Sequence, residues 1–151
     1  MAISRMDMDG KGSGSPQGIV ALILKQEPLV APVPIEALAY APDIVEIAEL
    51  STEGFEGALL TDRYRSKGSI LVRKPDNNDL RSEGRFTIGH ELGHFLIPSH
   101  KPVRGDHFLC DREAMHTWSA AEQNTYARME IEANGFAALI LMPPRRCCAD
   151  F

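Results

Sequence analysis

Positive charge is in short supply in this chain: 16 Lys and Arg stand against 21 Asp and Glu, giving a formal charge of -5 and a pI near 5.5. Nucleic-acid modules carry a basic face, so direct binding to a phosphate backbone is not expected as the main activity, although a DNA-binding protein could still be the partner. Cysteine is sparse as well. Cys110, Cys147 and Cys148 are an odd number with two adjacent, which argues against a disulfide framework and for a reducing compartment. The adjacent pair lacks ligand spacing and reads as incidental thiols. Long apolar runs are missing, so no membrane span is expected. Residues 1–18 lack the continuous apolar stretch of a secretory signal. A cytoplasmic protein is the expectation. Beyond Gly12-Ser13-Gly14-Ser15 there is no low-complexity block, and no internal repeat or heptad run occurs.

What is present suits one core. With 44% hydrophobic residues in 151, the chain is expected to form one domain over residues 16–151 behind a flexible lead, residues 1–15. Ser15 and Pro16 are a cap and first-turn pair for a helix running to about Glu27, where Pro28 stops it. A second short helix is expected over Ile35 to Ala41. From Ile44 the pattern turns to β-like runs, Ile44 to Leu50, Phe55 to Thr61 and Ser69 to Arg73, separated by Gly54, by residues 62–68 and by residues 75–78. These predict an α+β fold with a small, mainly antiparallel sheet, whose last strand is either an edge to which an extended peptide could add or an internal strand. Residues 98–118 read as an irregular insertion, and Ser119 with Glu122 forms a capping box for a long helix from Ala120 to about Leu141, ended by Pro143-Pro144.

The chemistry concentrates in Arg85-Phe86-Thr87-Ile88-Gly89-His90-Glu91-Leu92-Gly93-His94-Phe95-Leu96-Ile97. Helical positions i and i+4 stand one above the other, so His90 and His94 can grip one metal ion from consecutive turns. Glu91 cannot easily join the same coordination sphere, but it can take a proton from a water there, the general-base role of this HExxH spacing in zinc peptidases. An ordinary amphipathic helix with two satisfied histidines is the bland alternative. A catalytic zinc usually takes a third protein ligand. The candidates are Glu130 and Glu132 on the long helix and, in the insertion, His100, His107, His116, Asp106, Asp111 and Cys110. Glu130 and Glu132 flank the apolar face of Tyr126, Met129, Phe136 and Ile140 on opposite sides, and helical geometry alone does not choose between them. His100, His107 and Tyr126 are candidates for stabilising an oxyanion.

Two segments, Arg85 to Ile97 and Glu130-Ile131-Glu132-Ala133-Asn134-Gly135-Phe136-Ala137-Ala138-Leu139-Ile140-Leu141-Met142-Pro143, resemble the ImmA/IrrE family of metallo-endopeptidases, whose members join a phrase like RFTxxHELGH to a downstream EANxFAxxLLMP. The stretches Gly54 to Ala58 and Gly68 to Val72 and the first helix also read like that family. The resemblance implies a zincin-like metalloprotease domain, its sheet packed on the HExxH helix beside a glutamate-bearing C-terminal helix. It implies metal ligands His90, His94 and Glu132, with Glu91 as catalytic base and Zn2+ as cofactor; Mn2+ is another divalent ion such ligands accept. The implied function is zinc-dependent cleavage of a helix-turn-helix transcriptional repressor, relieving repression in a stress response or mobile-element switch. The competing expectation is a non-catalytic zincin-like module that binds a repressor or antitoxin; a hydrolase of non-peptide amides, with a small closed pocket, is a third. Relatives generally continue past the LLMP phrase with more helical sequence, whereas this chain ends in Arg145-Arg146-Cys147-Cys148-Ala149-Asp150-Phe151, so a substrate-recognition or packing element is expected to be short or missing.

Overall fold

The first helix, α1 (Pro16–Gln26), starts where its signals stand in the sequence. In the computed structural model, which describes residues 14–40, 43–62, 64–74, 81–103, 107–109 and 117–143, the Ser15 hydroxyl accepts a hydrogen bond from the Gly18 amide at 3.1 Å, and Pro16 occupies the first helical position. The short helix α2 (Ile35–Tyr40) follows. Three strands lie close to their expected positions: β1 (Ile44–Leu50), β2 (Gly57–Thr61) and β3 (Gly68–Arg73). A fourth, β4 (His107–Leu109), falls inside the stretch expected to be irregular; three residues are too few to produce a legible alternation.

The sheet order is β1-β3-β2-β4. β1 runs parallel to β3, whereas β2 pairs antiparallel with both β3 and β4, so the sheet is mixed and mainly antiparallel. β3 is internal, with both of its hydrogen-bonding sides taken by β1 and β2. It is therefore not an edge to which a peptide could add, and its alternation of buried and half-buried residues fits an interior strand.

Helix α3 (Arg81–Leu96) carries the HExxH sequence and begins before Arg85, the first residue of the motif stretch. From Ile88 to Ile97 every residue except His90 is buried. β2 and β3 cover one side of this helix and the final helix covers another. A helix enclosed in this way needs no polar stripe, which is why its sequence shows little periodic contrast. The final helix, α4 (Ala120–Leu141), has the expected capping box: the Ser119 hydroxyl accepts from the Glu122 amide, and the Glu122 carboxylate accepts from the Ser119 amide. Its buried face is Tyr126, Met129, Ala133, Phe136, Ala137 and Ile140.

The close approach of α3 and α4 depends on two glycines. A Cβ at Gly93 would stand 3.1 Å from the Phe136 ring and 3.3 Å from the Ala133 Cα, and one at Gly89 would stand 3.4 Å from the Ala137 Cα. Bare backbone at both positions lets the two helices seat against each other, with Leu92, Phe95 and Phe136 fully buried around the contact. The α+β class and the zincin-like arrangement of sheet, HExxH helix and glutamate-bearing helix are those expected from the sequence. Among the described residues no helix is long and apolar enough to cross a membrane.

Candidate metal centre

The buried polar and charged side chains among the described residues are Arg65, Glu91, His94 and His100. All four belong to one region around α3. Burying such groups is costly unless they are paired, so their concentration in one place marks that place as the molecule's chemistry.

His90 and His94 present their Nε2 atoms to each other at 3.1 Å from consecutive turns of α3. α4 brings Glu130 to the same point: one carboxylate oxygen lies 3.1 Å from His90 Nε2 and the other 2.9 Å from His94 Nε2. The ligand-capable atoms of His90, His94 and Glu130 all fall within 4.8 Å of one another, the distance range of a shared cation. Asn134, one helical turn beyond Glu130, places its Oδ1 at 2.7 Å from His90 Nδ1, so His90 donates from Nδ1 and keeps the Nε2 lone pair for the centre. The centre thus gathers a carboxylate and imidazole nitrogens from two elements, a set able to hold a cation.

The electrostatics agree with that reading. Burial lowers the His90 pKa, but hydrogen bonding to Glu130 and the charges of Glu91 and Glu130 outweigh it, so the net shift is upward. Burial raises the Glu130 pKa, yet the bonds from His90 and His94 overcome it and bring the carboxyl down to about 2. His94 is more deeply buried, and burial pulls its pKa below the usual imidazole value despite the bond to Glu130.

Glu91 makes none of these contacts and lies against the start of β2. Its side chain is buried and Oε2 has no hydrogen-bond partner among the described residues. Burial pushes its pKa up to about 8, partly opposed by the charge of His90. A Cβ on Gly57 would lie 2.3 Å from Thr87 Cγ2 and 3.0 Å from Glu91 Oε1, so the absence of a side chain at the start of β2 makes the room Glu91 occupies. His90, Glu91 and Glu130 border a groove of about 580 Å³ whose walls include Gly57, Phe86 and Thr87.

The resemblance implied Glu132 as the third ligand, and here the structure corrects it: Glu130 meets the two histidines, and Glu132 does not. Two residues along a helix is a rotation of about 200°. Glu132 therefore points to another side, where its oxygens lie 3.2 Å from His100 Nε2 and 3.5 Å from Arg128 Nε. Two features readable in the sequence could have separated the two glutamates. Glu130 has Asn134 at i+4, suited to support a ligating histidine on the same face, and Glu132 has Arg128 at i-4, a surface ion-pair spacing. His100, proposed above as a third ligand or oxyanion donor, lies behind the centre, fully buried, with Nδ1 at 3.0 Å from His94 Nδ1. Burial first, then the charge of His94, depresses its pKa to about 3, so it is a neutral imidazole. Tyr126 is buried with its ring edge-on to Trp118. The backbone of His107 lies in β4; Cys110, Cys147, Cys148, Asp106, Asp111, His116 and residues 1–13 lie outside the described residues.

Two contributors to the site carry no motif in the sequence. Phe108 in β4 stacks on the His94 ring, with centroids 4.7 Å apart and planes 16° from parallel. Arg65, from the loop between β2 and β3, donates to the carbonyls of His94, Ile97, Pro98 and His100, capping the C-terminal end of α3 with a buried cation.

No curated protein matches the chain at a significant level. The family model described as Peptidase_M78, IrrE N-terminal-like domain, matches residues 45–147, a span that includes the sheet, the HExxH helix and all of α4. With that match over most of its length and a His90, His94 and Glu130 cluster able to hold a metal, this chain belongs to the M78 peptidase family.

Proposed function

We propose that the chain is a metal-dependent endopeptidase, with zinc as its metal and manganese as the alternative ion, and that it cuts a helix-turn-helix transcriptional repressor. The observation that carries the catalytic part is the pairing of two things on one groove: a three-residue cluster suited to a cation, and beside it a buried carboxylate oxygen without a partner among the described residues. The repressor as substrate, the role in a stress response or mobile-element switch, and a cytoplasmic location rest on the family resemblance and on the chain's acidic, cysteine-poor composition.

His90, His94 and Glu130 would hold the metal. When bound, it supplies Lewis-acid chemistry, polarising a scissile carbonyl and lowering the pKa of an attacking water. Glu91 then takes the water's proton and later passes it to the leaving amine, as its place beside His90 and its free oxygen allow. Asn134 holds His90 in the tautomer that offers Nε2, and Gly57 keeps the space in front of Glu91 clear.

The test is incubation of the purified, metal-loaded protein with the repressor encoded beside its gene, read by mass spectrometry. Two fragments are expected with the parent chain. Glu91→Gln should bind metal and yield no fragments, and Glu130→Gln should lose both metal and cleavage. Fragments from the Glu91→Gln protein would overturn the role of the base. A stable complex of the parent protein with intact repressor would instead favour the non-catalytic module.

A further inference from the structure

We propose that Glu83 and Phe86 select the peptide that enters the groove, Glu83 taking a Lys or Arg side chain and Phe86 an apolar side chain two positions nearer the scissile bond. The inference rests on the peptidase reading above and names the kind of substrate segment that it would cut.

Glu83, Phe86, Thr87 and His90 recur every three or four residues of α3, so they share one face of it, and all of them border the groove. At a rise of about 1.5 Å per residue, Phe86 stands about 6 Å and Glu83 about 10 Å along the axis from His90. An extended peptide laid along this face advances about 3.3 Å per residue and turns every second side chain to the same side. An apolar residue about two positions from the scissile bond therefore meets Phe86. A long basic side chain two positions further on reaches Glu83.

The groove offers both partners. Phe86 is 38% exposed, an aromatic ring left open on a wall of the groove. Glu83 is exposed as well, and its carboxylate makes no ion pair among the described residues; the Thr87 hydroxyl bonds its backbone carbonyl instead. Glu56, just before β2, is already held by Arg73 at 3.0 Å, and Glu130 meets the two histidines. Glu83 is thus the carboxylate on this groove that is open to an incoming cation. No Lys or Arg is among the described residues that border it, and a cleft lined by one sign of charge concentrates ligands of the other. Acidic residues alone would be no more than a solvated rim. What marks the groove for an occupant is Glu91, which is 4% exposed and borders the same space with its Oε2 unpartnered among the described residues. As a first-turn acid Glu83 also complements the dipole of α3, but that role bears on stability and not on which peptide binds.

Binding is read by fluorescence anisotropy of short labelled peptides on the full chain, with chelator present so that no cleavage intervenes. The probes are Gly/Ser peptides carrying Leu-Ser-Lys or Lys-Ser-Leu, together with versions in which Glu replaces Lys or Ser replaces Leu. An exposed ion pair shifts an equilibrium by up to about fivefold, so the better-bound Lys peptide should exceed its Glu counterpart by about that factor, and less in high salt. Glu83→Gln should remove most of the preference and Glu83→Lys should reverse it. Glu46→Lys makes the same charge change on β1, two strands away from β2, and should keep the parent's preference. Phe86→Ala should remove the preference for Leu over Ser. Peptides that do not bind, a parent indifferent to Lys against Glu, a preference that survives Glu83→Lys, or one that Glu46→Lys reverses equally overturns the selection. Failure of the peptidase reading would look different: the Lys peptides would bind with this selectivity and stay intact once zinc replaces the chelator.

Discussion

Gly57 has no side chain and still decides where the Glu91 carboxylate stands. Thr87 Cγ2 and Glu91 Oε1 occupy the space a Cβ would take there, and well-packed surroundings absorb an added methyl at a cost of about 1–3 kcal/mol. Gly57→Ala should therefore lower stability by that order and should suppress cleavage while leaving zinc affinity nearly unchanged, because it displaces Glu91 and leaves the three candidate ligands alone. Thr87→Ser removes the nearer obstacle and keeps the hydroxyl that donates to the Glu83 carbonyl, so adding it to Gly57→Ala should recover much of the lost stability in chemical denaturation. A second effect at this scale depends on pH. The Asp62 carboxylate accepts hydrogen bonds from the Ser66 hydroxyl and amide, which lower its pKa from 3.8. A depressed carboxylate contributes stability above its unfolded pKa and loses it as pH falls through the folded value. Asp62→Asn should thus melt lower than the parent at neutral pH, and the gap should close below about pH 3.8.

At the scale of elements, α3 ends inside the protein, where the carbonyls of its last turn need partners other than water. Arg65 bonds four of the carbonyls in this region, from the loop between β2 and β3. Arg65→Met should leave buried acceptors unsatisfied and cost about 3 kcal/mol, measured by denaturant unfolding. Arg65→Lys should recover only part, since a point charge cannot match a planar fork of donors. This element also shows what can and cannot be read from sequence. The HExxH pair was legible because its geometry is local: one turn of helix fixes where His94 stands relative to His90. The cap pairs Ser15-Pro16 and Ser119-Glu122 were legible for the same reason. Glu130 was not chosen over Glu132 because both flank the apolar face of α4, and the choice depends on how far α4 is rotated against α3. That rotation is set at Gly89 and Gly93 by contacts with Ala133, Phe136 and Ala137, which are distant in sequence. β4 and its Phe108 went unseen because a three-residue strand exists only through its pairing with β2.

On the scale of the whole molecule, the candidate centre is a crosslink. Its histidines belong to α3, which lies against β2 and β3, and its glutamate belongs to α4, which packs on α1. A cation held there would join the two halves of the core at a point where a carboxylate faces two imidazoles. A ligand that binds only the folded state stabilises it by RT ln(1 + [L]/Kd), about 2.7 kcal/mol at a hundredfold excess over Kd. For a chain of this size that amounts to a rise of about 5–10 °C in Tm. Zinc titration followed by differential scanning calorimetry should show such a rise in the parent protein and in Glu91→Gln, since Glu91 lies outside the candidate ligand cluster. The rise should vanish in Glu130→Gln and persist in Glu132→Gln. Hydrogen exchange adds the location: zinc should slow exchange in α3 around His90–His94 and in α4 around Glu130–Asn134 together, because the ion couples their opening. If zinc protected α3 alone, or if Glu132→Gln lost the rise while Glu130→Gln kept it, the crosslink between these helices through Glu130 would be wrong.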